Sequence, residues 1–162
     1  MALPPDYQGS FVKPRGESYR ATVAVVAAGA GLAVEIAGSA TKTIEVVQCI
    51  VAKPSVDVTI ELKKTSTVAT GGTSAATVAT PLDSQNAAAT ASVRAFSGVP
   101  TPGSAVGSGL MIATECKTTE VIYEDYLRRG ISGVVLRGVA EGFALHVGAA
   151  ATVRVTLEWI ER

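Results

Sequence analysis

Residues 56–63 read Val-Asp-Val-Thr-Ile-Glu-Leu-Lys, and the alternation in this stretch decides the fold class. Val56, Val58, Ile60 and Leu62 fall on one side of an extended chain, while Asp57, Thr59, Glu61 and Lys63 fall on the other. Successive side chains of a strand point to opposite faces, so a period of two predicts an antiparallel strand with one face buried and one in water. The pattern returns at the end of the chain. There Val153, Val155, Leu157 and Trp159 alternate with Arg154, Thr156, Glu158 and Ile160, which predicts a last strand running through the sheet.

Working outward, less regular runs rich in β-branched residues predict strands over 19–27, 32–36, 43–51, 91–96, 110–113, 120–126, 134–137 and 143–147. Turn signals recur about every ten residues, at Ala28-Gly29-Ala30-Gly31, Gly38-Ser39, Lys53-Pro54-Ser55, across 98–109, and at Gly130, Gly138, Gly142 and Gly148. Short strands at that spacing predict an all-β sandwich or barrel. Residues 21–30 are alanine-rich and so favour helix by propensity, but Val23, Val25 and Val26 favour a strand, which is the expectation.

Two stretches break the pattern. Residues 1–17 carry three Pro and two Gly with no period, which predicts an extended N-terminal arm that is either disordered or lies on a partner, with Tyr7 and Phe11 as its anchors. Residues 65–90 read TSTVATGGTSAATVATPLDSQNAAAT, with Leu82 as the only large apolar side chain. So long a connection is uncommon in a compact domain unless it is functional or mobile. It is either a flexible surface loop or a loop ordered against a neighbouring subunit, with Leu82 and Asp83 as its contact residues. The expected organisation is an arm over 1–17 and one domain over 18–162, a size that buries a substantial core.

Fourteen basic and fourteen acidic residues cancel, and no segment interleaves Lys or Arg with aromatics, which argues against direct nucleic-acid binding. Near-zero net charge gives little protection from self-association. The first residues lack an apolar leader and no segment reaches the ~20 apolar residues of a membrane span, so the expectation is synthesis in the cytoplasm and no membrane partner. Cys49 and Cys116 match no metal or redox spacing and are expected to be free, buried thiols.

Little in the sequence points to chemistry. The chain has one histidine, His146, placed on the strand face opposite Phe143, Leu145 and Val147, so it is expected to be exposed or at an interface and not a catalytic base. Gly71-Gly72-Thr73-Ser74 and Gly29-Ala30-Gly31 lack the Lys and the following helix of a phosphate cradle. Glu120, Glu124 and Asp125, followed by Arg128 and Arg129, predict a surface charge patch or half of a polar subunit contact. No cation loop is present in the sequence. The reading is of a protein without catalytic, metal or cofactor residues.

Three segments together resemble a family of small tailed-bacteriophage virion proteins encoded among head and tail structural genes. The first runs from Thr70-Gly71-Gly72-Thr73-Ser74 through Pro81-Leu82-Asp83-Ser84 to Ala88-Ala89-Thr90-Ala91-Ser92-Val93-Arg94-Ala95-Phe96 and is similar to the family's TGGTS, P-x-D-S and AATA-x-VRA-[YF] core. The second is the run 133–145, Gly-Val-Val-Leu-Arg-Gly-Val-Ala-Glu-Gly-Phe-Ala-Leu, with altered spacing after Gly138; the third is Val155-Thr156-Leu157-Glu158-Trp159. The resemblance implies a virion component of β-sandwich type, a capsid decoration or cement protein, and transfers no catalytic residue. Joined to the arm and the small-residue loop, it leads to a jelly-roll-like sandwich working as a homotrimer that clamps adjacent major capsid proteins at the capsid surface. The alternative is a tail or fibre module that binds a host-surface glycan.

Overall fold

In the computed structural model, which describes residues 16–126 and 133–162, the alternating stretch around Ile60 is a strand in one of two antiparallel sheets. The strands in chain order are β1 (Glu17–Ala27), β2 (Gly31–Ala37), β3 (Thr43–Ala52), β4 (Val58–Thr65), β5 (Ser74–Thr77), β6 (Thr80–Pro81), β7 (Ser92–Phe96), β8 (Ala105–Cys116), β9 (Val121–Asp125), β10 (Val134–Arg137), β11 (Gly142–Val147) and β12 (Ala151–Glu161). The first sheet runs β10-β3-β12-β1-β6, with β9 also on β3. β10 pairs with Thr43 to Val46 and β9 with Gln48 to Ala52, so the two lie end to end along one edge. The second runs β5-β7-β2-β11-β4-β8. The protein is all-β, two antiparallel sheets packed face to face as a sandwich.

The core is where the alternation places it. Val58, Ile60 and Leu62 of β4 meet Val153, Val155, Leu157 and Trp159 of β12 across the interlayer space, together with Tyr19, Ile36, Phe143 and Leu145. Tyr19 and Trp159 are register partners, and their rings stack at 5.8 Å between centroids. Val56 departs from the expectation: it precedes β4 and is exposed, because the chain turns at Pro54-Ser55 before the ladder begins.

The irregular strands have a specific cause. β3 carries an extra residue at Val47, opposite Glu158 and Trp159 of β12, so Ile44 and Val46 face the core before the bulge and Cys49 and Val51 after it. β2 has the same device at Ala33, opposite Leu145 and His146. A bulge shifts parity by one, which hides the period of two in a linear reading. Residues 21–27 form strand, as expected over helix. Ile160, on the face opposite Trp159, is buried where Gly16 lies against it at the start of β1.

The stretch 65–90 is more structured than a single loop. Thr65 closes β4, β5 pairs with β7, and β6 pairs with Tyr19 and Arg20 of β1. β1 begins at Glu17, inside the stretch assigned to the arm.

Candidate contact surface

Four strand glutamates are buried, Glu35 in β2, Glu45 in β3, Glu124 in β9 and Glu161 in β12, and Glu35, Glu45 and Glu161 hold surface segments. A buried carboxylate must be paired or hydrogen-bonded, and here the donors come from surface segments. Glu35 accepts the Ala69 N–H at 3.0 Å and a 2.5 Å ion-paired contact from Arg94, whose guanidinium also donates to the Ala69 carbonyl and lies over the Phe96 ring. Ala69 thereby closes a small outer cluster with Leu32, Phe96 and Ala144. The segment 66–73 is thus clamped onto the outer face of the second sheet.

A second segment is locked to the first. Thr70 and Thr101 exchange backbone hydrogen bonds at 2.9 and 3.0 Å, Ser66 donates to the Ser104 carbonyl, and Thr67 accepts from the Ser104 N–H. The two form a flap. Gly71 and Gly72, with φ of +67° and +70°, turn the chain from the flap into β5, a conformation that β-carbons disfavour.

Glu161 braces the other end of the same stretch. It accepts N–H groups of Thr90 and Ala91, the Thr90 hydroxyl at 2.7 Å and the Trp159 indole N–H at 3.1 Å. Burial works against its charge, but these donors outweigh it and hold the carboxyl below its ordinary pKa. The Tyr19 hydroxyl lies 2.9 Å from the Ala87 carbonyl and adds a tether. Glu45 accepts from the Gly133 N–H at 3.1 Å and pairs with Arg162 at 2.7 Å. All three acids are therefore used to fix surface segments in place.

Of the residues expected to bind a partner, Tyr7 and Phe11 lie outside the described residues, as do Arg128 and Arg129. Leu82 and Asp83 are brought together on an exposed turn after β6. The Leu82 N–H donates to the Ser18 carbonyl, and Asp83 accepts from the Gln85 and Asn86 N–H groups, so the turn is held. The buried glutamates escaped the sequence reading. Their signal was a single acid inside an apolar strand run, as in Leu32-Ala33-Val34-Glu35-Ile36.

His146 is on the outer face as expected, but it is largely buried there. It lines a depression of about 490 Å³ with Thr59, Glu61 and Gly148, and its Nε2 is buried without a hydrogen-bond partner among the described residues. Desolvation, reinforced by Lys63 and opposed by Glu61, lowers its pKa. The patch at 120–125 also differs from expectation. Glu120 is exposed and caps the turn by accepting from the Lys117 N–H, but Glu124 is buried beside Cys49 on β3. Both cysteines are free and buried. Among the described residues no group of three or more His, Cys, Asp and Glu is placed to hold a metal ion.

No protein-family model, no characterised protein and no solved structure matches the chain.

Proposed function

We propose that this protein is a structural component of a tailed-bacteriophage virion, a decoration protein that clamps adjacent major capsid subunits as a homotrimer, without catalytic activity. The observation that carries the reading is the use of buried Glu35, Glu45 and Glu161 to rigidify surface segments. Pre-ordered segments lose less entropy when they bind, so fixing them favours a contact surface. The resemblance of the 70–96 and 133–145 stretches to virion proteins supports the same reading, since Gly71-Gly72 lie in the flap and Arg94, on β7, donates to Glu35 and the Ala69 carbonyl that hold it. The jelly-roll part of the proposal rests on strand order: β10-β3-β12-β1 in one layer and β8-β4-β11-β2 in the other, with successive strands β1 to β4 alternating between layers.

Attachment would be multivalent, each copy adding contacts from its arm and from the Leu82-Asp83 turn, so that the set dissociates slowly. The decisive experiment is the position of this protein's density in an electron-microscopy map of the intact particle. Density bridging capsid subunits is the expected result, and density confined to the tail sinks the reading. Removing residues 1–15 is expected to weaken head binding while the sandwich stays folded. One feature favours the glycan-binding alternative: exposed Tyr123 on β9, hydrogen-bonded to Gln48 at 2.7 Å, offers an aromatic face beside an amide. Glycan-array binding abolished by Tyr123→Ala would establish it.

A further inference from the structure

Where β1 meets β5 the described residues of the two sheets leave the side of the sandwich open. An apolar groove of about 470 Å³ runs there, lined by residues 23–26 of β1, residues 73–78 along β5, and Ala95 and Ser97. Among the described residues both flanking strands are edges: β6 covers β1 only at Tyr19 and Arg20, and β5 pairs only with β7. The Ser18 carbonyl accepts from Leu82 on the β6 side, and in an antiparallel strand every second residue turns its N–H and C=O to the same side. Thr22, Ala24 and Val26 therefore aim their backbone groups at the open edge.

Proteins blunt such edges with Lys, Pro, bulges or a covering segment. Here the groove lining contains no charged residue, and Val26 and Val78 are 63% and 86% exposed. An uncharged, unpaired edge beside an apolar furrow is shaped for strand addition.

We infer that this groove receives residues 6–13 from a second copy of this chain, added as a strand on β1. That stretch, Asp-Tyr-Gln-Gly-Ser-Phe-Val-Lys, is the longest proline-free run before β1, so each residue can donate a backbone N–H. Gln8 to Val12 are uncharged, matching the lining. In an extended conformation Tyr7, Gly9 and Phe11 share a face, which puts two aromatic rings toward the opening beside Val23 and Val25.

The chain's own copy is obstructed. Gly16 sits against Ile160 and Glu161 at the far end of β1, and β6 with Leu82 occupies the edge at Ser18 to Arg20, between Gly16 and Thr22. A hairpin back along β1 collides with β6, whereas a strand arriving from another molecule does not. The inference supplies the joint for the homo-oligomer of the proposed function and is independent of any capsid.

The test uses the full-length purified chain with Phe11 replaced by the photo-crosslinking benzoylphenylalanine, nitrogen-15-labelled and unlabelled copies being mixed, exchanged and irradiated. Expected are adducts joining heavy to light chains that map to residues 22–26 or 74–78. Ala24→Pro, which removes an N–H aimed at the edge and leaves the β12 ladder intact, is expected to cut these adducts at least tenfold and shift sedimentation to the monomer. Val26→Lys, a change at an exposed side chain that folding tolerates, is expected to do the same. Adducts confined to one chain, adducts elsewhere, no adducts, or an oligomer unmoved by Val26→Lys would each overturn the inference. A preserved oligomer that fails to bind phage heads counts against the virion reading alone.

Discussion

Glu161 shows how one residue ties a surface segment to the core. Its carboxylate gathers three N–H donors and a hydroxyl, and charge-assisted hydrogen bonds of this kind are the strong ones. Because its folded pKa lies below the unfolded value, the stability it contributes is fully present above the ordinary carboxylate range and is lost as pH falls through the folded value. Glu161→Gln is expected to cost about 2 kcal/mol at neutral pH, the scale of a hydrogen bond to a charged group, and to flatten the acid limb of the stability curve. Denaturant melts at pH 7 and pH 3 measure both. His146 supplies a second, separate step. Its folded pKa is lowered, so the unfolded chain takes the proton first and stability falls as pH drops below about 6.5 through the folded value. With one histidine in the chain, a proton NMR titration of its C2–H reads that midpoint directly, and a value at or above 6.5 contradicts the desolvated placement. Neither role was legible from sequence, since a Glu after Ile160 and a His between Leu145 and Val147 look alike as outward-facing polar positions.

At the scale of elements, the alternating strands β4 and β12 were readable because one face is apolar and the other polar. β2 and β3 were readable as strands but not as patterns, since bulges at Ala33 and Val47 reset the parity. The 65–90 stretch was readable only as unusual: its small residues make two short strands and half of the flap, and long-range partners on β1, β7 and the 97–104 segment hold them. The flap has its own point of failure. A β-carbon on Gly103 would lie 1.7 Å from the Thr67 carbonyl oxygen, so Gly103→Ala must push the two segments apart. Amide exchange at Ala69, Thr70 and Thr101 is expected to accelerate strongly, with little change at Val155 or Leu157 in the core. Glu35→Ala attacks the same element from below by leaving Arg94 and the Ala69 N–H without their acceptor, at about 3 kcal/mol on the scale of a broken buried pair. Uniform exchange rates across flap and core in either variant would show that the flap is not a separate unit.

For the whole molecule, the two thiols report how the sandwich opens. Cys49 lies on β3, flanked in its sheet by Leu157 of β12 and Glu124 of β9, and burial, with Glu124 beside it, pushes its pKa up to about 12. Cys116 ends β8, which among the described residues is an edge strand paired with β4 alone, and burial followed by the nearby Glu120 raises its pKa as well. The thiolate is the reactive form, so neither side chain should react with an aromatic disulfide reagent while its surroundings are intact. Opening costs differ between them. Freeing Cys116 requires an edge strand to peel from one neighbour, which local fluctuations accomplish, whereas freeing Cys49 requires separating the layers around Trp159 and Leu157, close to global unfolding. Labelling in the absence of denaturant is therefore expected in two phases, Cys116 first, with the Cys49 rate rising in step with global unfolding as denaturant is added. Cys116→Ser should remove the fast phase alone. A fast Cys49 phase would mean that the sheets separate without unfolding, and the close-packed sandwich would be the wrong description of the protein in solution.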